Sequence, residues 1–181
     1  MKGVVFTEFL GFVAHHYGED TVDDIIDASD LPNRGAYTSV GTYPPAEMEM
    51  LCTALSAETQ QPTTNLVCSF GLHLSRTFAA DYPEFYPKNG SFFDFLASVE
   101  DHIHVEVRKL YPDAELPSFK VVSRTATEMT IDYQSPRRMS ALAHGLILGS
   151  AKQFGVTARV QISPNFEGSP DIARFVIEIP D

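Results

Sequence analysis

The sequence predicts an α+β fold in which helices come first and a β-β-α-β-β region follows. Helical spacing of apolar residues dominates the chain up to about Tyr111. The segments SFKVVSR and EMTIDYQ then alternate apolar and polar residues, as half-buried strands do. After one more helical segment, VTARVQIS and ARFVIEIP alternate again. No internal repeat or long linker divides this order of elements, which indicates an α+β fold whose two parts share an interface.

Five helices are predicted before the first strand. Helical spacing is found at 3–17, 21–28, 45–58, 62–79 and 91–111. The last of these segments keeps its apolar residues at a period of about 3.6, which predicts one long amphipathic helix. Pro112 and Pro117 end it.

A sixth helix is predicted between the two pairs of strands. Ser135 is placed as its N-cap and Pro136 as its first helical residue, and Gly155 ends it. This start places Arg137 and Arg138 in the first helical turn. The helix dipole disfavours cations there unless an anion is nearby, so the pattern favours an anionic ligand.

Composition limits the classes of function. The chain has 181 residues, 44% of them hydrophobic, which is enough for one well-packed domain. A net charge of -11 disfavours a nucleic-acid partner, and no segment has the length and apolarity needed for membrane insertion. The cysteines, Cys52 and Cys68, form no Cys-x-x-Cys pair. Together with the lack of a signal-peptide pattern, this indicates a cytoplasmic protein.

Two histidines, His102 and His104, lie two positions apart in the stretch DHIHVEVRKLYP. Each helical residue advances by about 100°, which leaves them near opposite edges of the apolar arc, so periodicity does not choose between them. The remaining histidines, at positions 15, 16, 73 and 144, have no partner at ligand spacing. A multi-histidine metal site is therefore unsupported, and no motif of nucleophilic or phosphate chemistry is present.

Tyr133, Ser135 and Arg137 follow one another at every second position where a strand runs into a helix. A phenol, a hydroxyl and a guanidinium fork are all hydrogen-bond donors, and together they suit a ligand with two carboxylates. The structural alternative is a half-buried tyrosine, a helix cap and a surface charge.

These patterns, taken together, resemble the haem nitric oxide/oxygen-binding (H-NOX) family, in the form of a bacterial stand-alone member. The resemblance rests on MKG at the start, HVEVRKLYP with Pro117 downstream, Y-x-S-x-R at 133–137, and RMSALAHGLILGS. It implies a four-stranded antiparallel sheet and haem buried between the two parts. It also implies a single haem-binding domain over 1–181, with a helical N-terminal part at about 1–62 and the haem-ligating helix plus sheet at about 63–181.

The resemblance also implies the site residues. The cofactor is haem b, and His104 is its only protein ligand, which leaves His102 without a role. Tyr133, Ser135 and Arg137 bind the haem propionates, and Pro117 distorts the porphyrin. An apolar haem pocket is lined by Val5, Phe9, Phe78, Leu142 and Leu146.

By the same resemblance the chain is a gas sensor and not an enzyme. Leu142 stands where oxygen-binding members have a tyrosine, so the resemblance implies selectivity for NO, with CO as a ligand in vitro, and weak or no oxygen binding. The signal passes to a separate effector, a histidine kinase of a two-component system or a diguanylate cyclase. No zinc is expected, because no cysteine follows Cys68. A haem enzyme of peroxidase type, with His144 as its one candidate donor, and a haem-free binding module are the alternatives.

Overall fold

The computed structural model describes residues 1–86 and 89–180, which form two compact units. The first unit is residues 1–70 and the second is residues 71–181. The boundary near residue 62 that the sequence predicts falls just before the helix Thr63–Asp81, whereas the boundary between the compact units falls inside it. The assignment of the whole chain to one domain stays a prediction.

The first unit is helical. It contains α1 (Gly3–Tyr17), α2 (Glu19–Asp27), α3 (Pro45–Thr59) and the first turns of α4 (Thr63–Asp81). Each lies within a few residues of a predicted helix. The buried face of α1 carries three phenylalanines at the helical spacing of three, Phe6, Phe9 and Phe12.

The MKG motif at the start of α1 has a structural explanation. The amide of Gly3 donates to the carbonyl oxygen of Gly41 at 2.8 Å, and Lys2 forms an isolated antiparallel bridge with Thr42. A Cβ atom on Gly3 would lie 1.9 Å from the carbonyl oxygen of Thr38. Only glycine therefore lets the loop before α3 pack so closely against the start of α1.

The second unit combines the rest of α4 with helices and a sheet. Its elements are α5 (Phe92–Ser98), a π-helical segment (Val99–Ile103), α6 (His104–Leu110), β1 (Ser118–Arg124), β2 (Glu128–Gln134), α7 (Ser140–Gln153), β3 (Arg159–Pro164) and β4 (Ile172–Glu178). Short 3-10 turns lie at Pro83–Phe85 and Phe166–Gly168. No helix of the described chain combines the length and apolarity needed to cross a membrane.

The four strands form one antiparallel sheet in the order β1-β2-β4-β3, and the predicted α+β fold is confirmed. The two central strands bury every second residue, and their register pairs Ile131 with Phe175 and Tyr133 with Ala173. Ala143 and Ile147 of α7 belong to the same buried core. The sheet therefore presents one face to α7, and the strand-end residue Tyr133 is part of that buried layer.

The predicted start of α7 is wrong. The Ser135 hydroxyl accepts a hydrogen bond from the amide of Arg137 at 3.2 Å, and the amide of Arg138 donates to the Ser135 carbonyl at 3.1 Å. These bonds close a tight turn, and Arg138 has φ of 53°, which is incompatible with a right-handed helix. Because α7 begins only at Ser140, the argument from the helix dipole does not apply to either arginine.

The helices α4 and α7 approach closely within the second unit. A Cβ atom on Gly149 of α7 would lie 2.2 Å from Oγ of Ser75 on α4. Ser75 is fully buried, and its hydroxyl has no hydrogen-bond partner among the described residues. A buried hydroxyl without a partner loses its hydration with no compensation, so Ser75 weakens the packing that it occupies.

Replacement of Ser75 by alanine is therefore expected to leave the free energy of unfolding unchanged or to raise it by up to about 1 kcal/mol. Ser150, also buried on α7, is the matched control, because its hydroxyl lowers the pKa of the Tyr86 phenol and so has a polar neighbour. Ser150→Ala is expected to lower the free energy of unfolding by about 1 kcal/mol. Urea unfolding of both variants measures the difference, and equal losses would contradict it.

Candidate functional site

The helical stretch that carries the two candidate histidines begins at a well-formed cap. Ser91 Oγ accepts from the amide of Asp94 at 3.1 Å, and the Asp94 carboxylate accepts from the amide of Ser91 at 3.2 Å. From there the chain remains helical to Leu110, as predicted, except that Val99–Ile103 forms a π-helical segment. Such a segment inserts an extra residue in the turn and rotates everything after it relative to a regular helix.

The structure separates the two histidines. His104 is 8% exposed, whereas His102 is an exposed residue whose ring lies 6.2 Å from that of Phe85. The π-helical segment ends immediately before His104, so a regular helical projection misplaces both side chains. The buried histidine is the one that the resemblance selects as an iron ligand.

The His104 ring lies between a carboxylate and a strand. Its Nδ1 lies 3.3 Å from Oε2 of Glu100, four residues earlier, and its ring centroid lies 5.8 Å from that of Phe119 on β1. Because an ionised carboxylate only accepts hydrogen bonds, Nδ1 carries the proton and donates it. Nε2 has no hydrogen-bond partner within the described chain and is free to act as a ligand.

Electrostatics keep this imidazole neutral. Burial lowers the pKa of His104, and the neighbouring Glu100 carboxylate opposes that effect only in part. A neutral ring with a free Nε2 is the form that binds a metal ion. The residues present therefore fit the axial ligation of a haem iron.

Tyr133, Ser135 and Arg137 are neighbours at the end of β2. Tyr133 and Ser135 are each 3% exposed. Burial raises the pKa of Tyr133, while the neighbouring Ser135 hydroxyl and the charge of Arg137 counteract the rise. The ring of Phe119 lies 5.3 Å from that of Tyr133, so a row of aromatic contacts joins this trio to His104.

Arg137 is already placed to bind a carboxylate. Its Nη2 lies 3.1 Å from Oε2 of Glu115, and its side chain is only 16% exposed, whereas that of Glu115 is 80% exposed. Because the Glu115 side chain is largely exposed, holding it against Arg137 adds little stability, and its carboxylate can be replaced by another. Such an exchange suits a ligand carboxylate, which the family resemblance identifies as a haem propionate.

The other predicted residues lie in different parts of the chain. Pro117 is half-buried directly before β1, and Val5 and Phe9 lie on α1 of the first unit. Phe78 lies on α4, and Leu142 and Leu146 occupy a face of α7 different from that of its sheet-facing residues. That these side chains together line a haem pocket stays a prediction.

His144 lies two residues beyond Leu142 and points elsewhere. Its ring centroid lies 6.4 Å from that of Phe175 in β4, and burial lowers its pKa. The side chain therefore packs on the sheet side of α7, opposite the face that carries Leu142.

The described residues form no site for a metal ion held by protein side chains alone. No group of three or more histidine, cysteine or acidic side chains among them could hold an ion. Cys52 and Cys68 are both free thiols, and burial raises the pKa of Cys52 to about 12. A thiol that remains protonated is a poor ligand and a poor nucleophile.

Two further residues of the site, Glu100 and Phe119, are not predicted from the sequence. The amide of Phe119 donates to Glu100 Oε2 at 3.0 Å, so the same carboxylate oxygen contacts the histidine and the strand. A glutamate four residues before His104 is visible in the sequence, and that spacing places two side chains on one helix face. The contact with Phe119 spans 19 positions and leaves no sequence signal.

Comparison with known proteins agrees with this geometry. The haem-NO-binding family matches residues 2–162. The structure of the Fe(II) unliganded H-NOX protein from K. algicida superposes with a TM-score of 0.94 at 38% identity, over 100% of this chain and 97% of that one. The H-NOX protein from Shewanella woodyi, in the Fe(II)CO state with IWP-051 bound, is 33% identical with a TM-score of 0.83, over 99% of this chain and 95% of that one.

A curated relative extends the comparison to a larger protein. Soluble guanylate cyclase 89Db of Drosophila melanogaster is 29% identical over 171 residues, which is 91% of this chain and 25% of that protein. The chain thus spans about a quarter of the length of this relative. Because the family match covers most of the chain, the chain belongs to the haem-NO-binding (H-NOX) family of haem-based gas-sensor domains.

Proposed function

We propose that this domain senses NO through haem b bound by His104, and that it signals to a separate effector protein. The observation that carries the proposal is the buried, neutral His104 ring with Nδ1 committed to Glu100 and Nε2 free. When bound, haem supplies a ferrous iron that takes a diatomic gas, which none of the protein side chains can do.

Different residues of the chain bind different parts of the haem. His104 offers one nitrogen to the iron, so a single bond links helix α6 to the cofactor. Tyr133, Ser135 and Arg137 offer donors to the propionates, and the Arg137 contact with Glu115 supports this assignment. Pro117, half-buried directly before β1, is the residue that would contact the haem and tune its shape.

The ligand selectivity follows from the apolar side chains assigned to the distal pocket. Val5, Phe9, Phe78, Leu142 and Leu146 contain no hydrogen-bond donor in their side chains. Oxygen bound to ferrous iron gathers negative charge and needs a donor for stability, whereas NO gains much less from one. The domain therefore selects NO and CO over oxygen.

The signalling step rests on the single link through His104. The π-helical segment before it interrupts the regular helical pattern, as such segments often do at functional sites, so we place the readjustment of the helix there. We assign the readout to a separate histidine kinase or diguanylate cyclase in the cytoplasm, in line with the family resemblance.

Optical spectra of the purified ferrous protein test the proposal. We expect a Soret band typical of five-coordinate haem, a shifted band after addition of NO or CO, and no stable complex with oxygen in air. A stable complex in air would overturn the NO selectivity. The absence of any Soret band after reconstitution with haem would instead support a haem-free binding module, and turnover of peroxide would support an enzyme.

A further inference from the structure

Glu100 is the one charged residue whose carboxylate reaches the His104 ring in the described chain. It lies in the π-helical segment, one turn before the histidine, and its side chain is 32% exposed. Oε2 lies 3.3 Å from His104 Nδ1 and accepts the amide hydrogen of Phe119 at 3.0 Å. Oε1 lies 3.8 Å from a guanidinium nitrogen of Arg108.

These contacts hold the carboxylate in a defined place. The amide of Phe119 belongs to the backbone of β1, and Arg108 lies on α6, so Glu100 is anchored from a strand and from a helix. An ordinary surface acid on a helix lacks such anchors. Glu106 in the same helical stretch, for comparison, is paired with Lys109, an exposed side chain three residues away.

A carboxylate that accepts from Nδ1 of a histidine does two things to the ring. It selects the tautomer and the orientation that leave Nε2 facing the metal, and it raises the electron density that Nε2 can donate. Its effect depends on the charge remaining on the carboxylate. The amide of Phe119 and the guanidinium of Arg108 also interact with the carboxylate. They partly neutralise its charge and so weaken its effect on the His104 ring.

We infer that Glu100 is a positioning residue for the iron ligand: its carboxylate orients the His104 ring, sets the strength of the bond between Nε2 and iron, and ties that bond to strand β1 through Phe119. This inference rests on the proposed haem ligation by His104. It adds a route by which a change at the iron reaches the edge of the sheet, because one carboxylate oxygen serves both the ring and the strand amide.

The test is resonance Raman spectroscopy of the ferrous unliganded protein, with the iron–histidine stretching frequency as its readout. Glu100→Gln is expected to lower this frequency, because a neutral amide is a weaker acceptor. It is also expected to speed the loss of haem to a scavenging protein by about 10- to 100-fold, the usual effect of removing a partner of a metal ligand. Glu106→Gln makes the same charge change on the same helix and is expected to leave both quantities at their wild-type values.

Arg108→Leu is expected to change the iron–histidine stretching frequency in the opposite direction to Glu100→Gln. A general loss of structure would change the frequency in the same direction in both variants. Removing this half-exposed cation leaves more charge on Glu100, so the stretching frequency is expected to rise. Unchanged frequencies in both Glu100→Gln and Arg108→Leu would overturn the inference, as would a fall in both. A wild-type protein with bound haem but no iron–histidine band would instead overturn the ligation by His104.

Discussion

Replacement of His104 by glycine is expected to abolish stable haem binding. His104 contributes the one buried imidazole of the site, and no other histidine is expected to take over its bond to iron. We expect the loss of haem affinity to exceed the roughly 10- to 100-fold effect of changing a partner of the ligand. The measurement is the ratio of the Soret absorbance to the protein absorbance after purification and after reconstitution with haem.

Two controls separate loss of the ligand from loss of the helix. His102→Gly imposes the same backbone cost of about 1 kcal/mol in the same helical stretch but removes an exposed ring. It is expected to retain haem. Imidazole added to His104→Gly is expected to restore the Soret band by filling the vacated space, and a variant that retains haem without imidazole would show that His104 is not the ligand.

Replacement of Phe175 by alanine is expected to cost about 3–5 kcal/mol of the free energy of unfolding. Phe175 is fully buried on the central strand β4, where its ring lies 6.1 Å from that of Tyr133 and 6.4 Å from that of His144. Truncation leaves a cavity where the sheet packs against α7. We expect weaker propionate binding as a secondary effect, because Tyr133 loses its support.

Chemical unfolding with and without haem measures this loss. Val122→Ala on the edge strand β1 is the control, because Val122 is 46% exposed and its truncation is expected to change the free energy by no more than about 0.5 kcal/mol. A loss below about 1 kcal/mol in Phe175→Ala would mean that the core relaxes around the cavity and that Phe175 does not organise the sheet.

The elements of the fold could largely be predicted from local patterns. The predicted strands SFKVVSR and EMTIDYQ coincide with β1 and β2. In β2 the alternation reflects the burial of every second residue, whereas the expectation of a half-buried strand is wrong for β1, an edge strand that is exposed along nearly its whole length. The start of α7 could not be predicted, because Ser135 and Pro136 suit a helix start and a tight turn equally well. In the structure Arg138 has a positive φ, which is part of a tight turn, and nothing in its local sequence requires that conformation.

The candidate site was likewise predictable from the sequence only in part. Sequence spacing offered Tyr133, Ser135 and Arg137 as candidate donors beside a structural alternative, and the family resemblance assigned them to the propionates. Spacing could not rank His102 against His104, because the π-helical segment rotates the helix at that point. Nor could it find the contact of Glu100 with the amide of Phe119, which exists only because β1 packs beside the helix. Local chemistry thus names the candidate ligands, whereas tertiary packing decides which one is buried and what holds it.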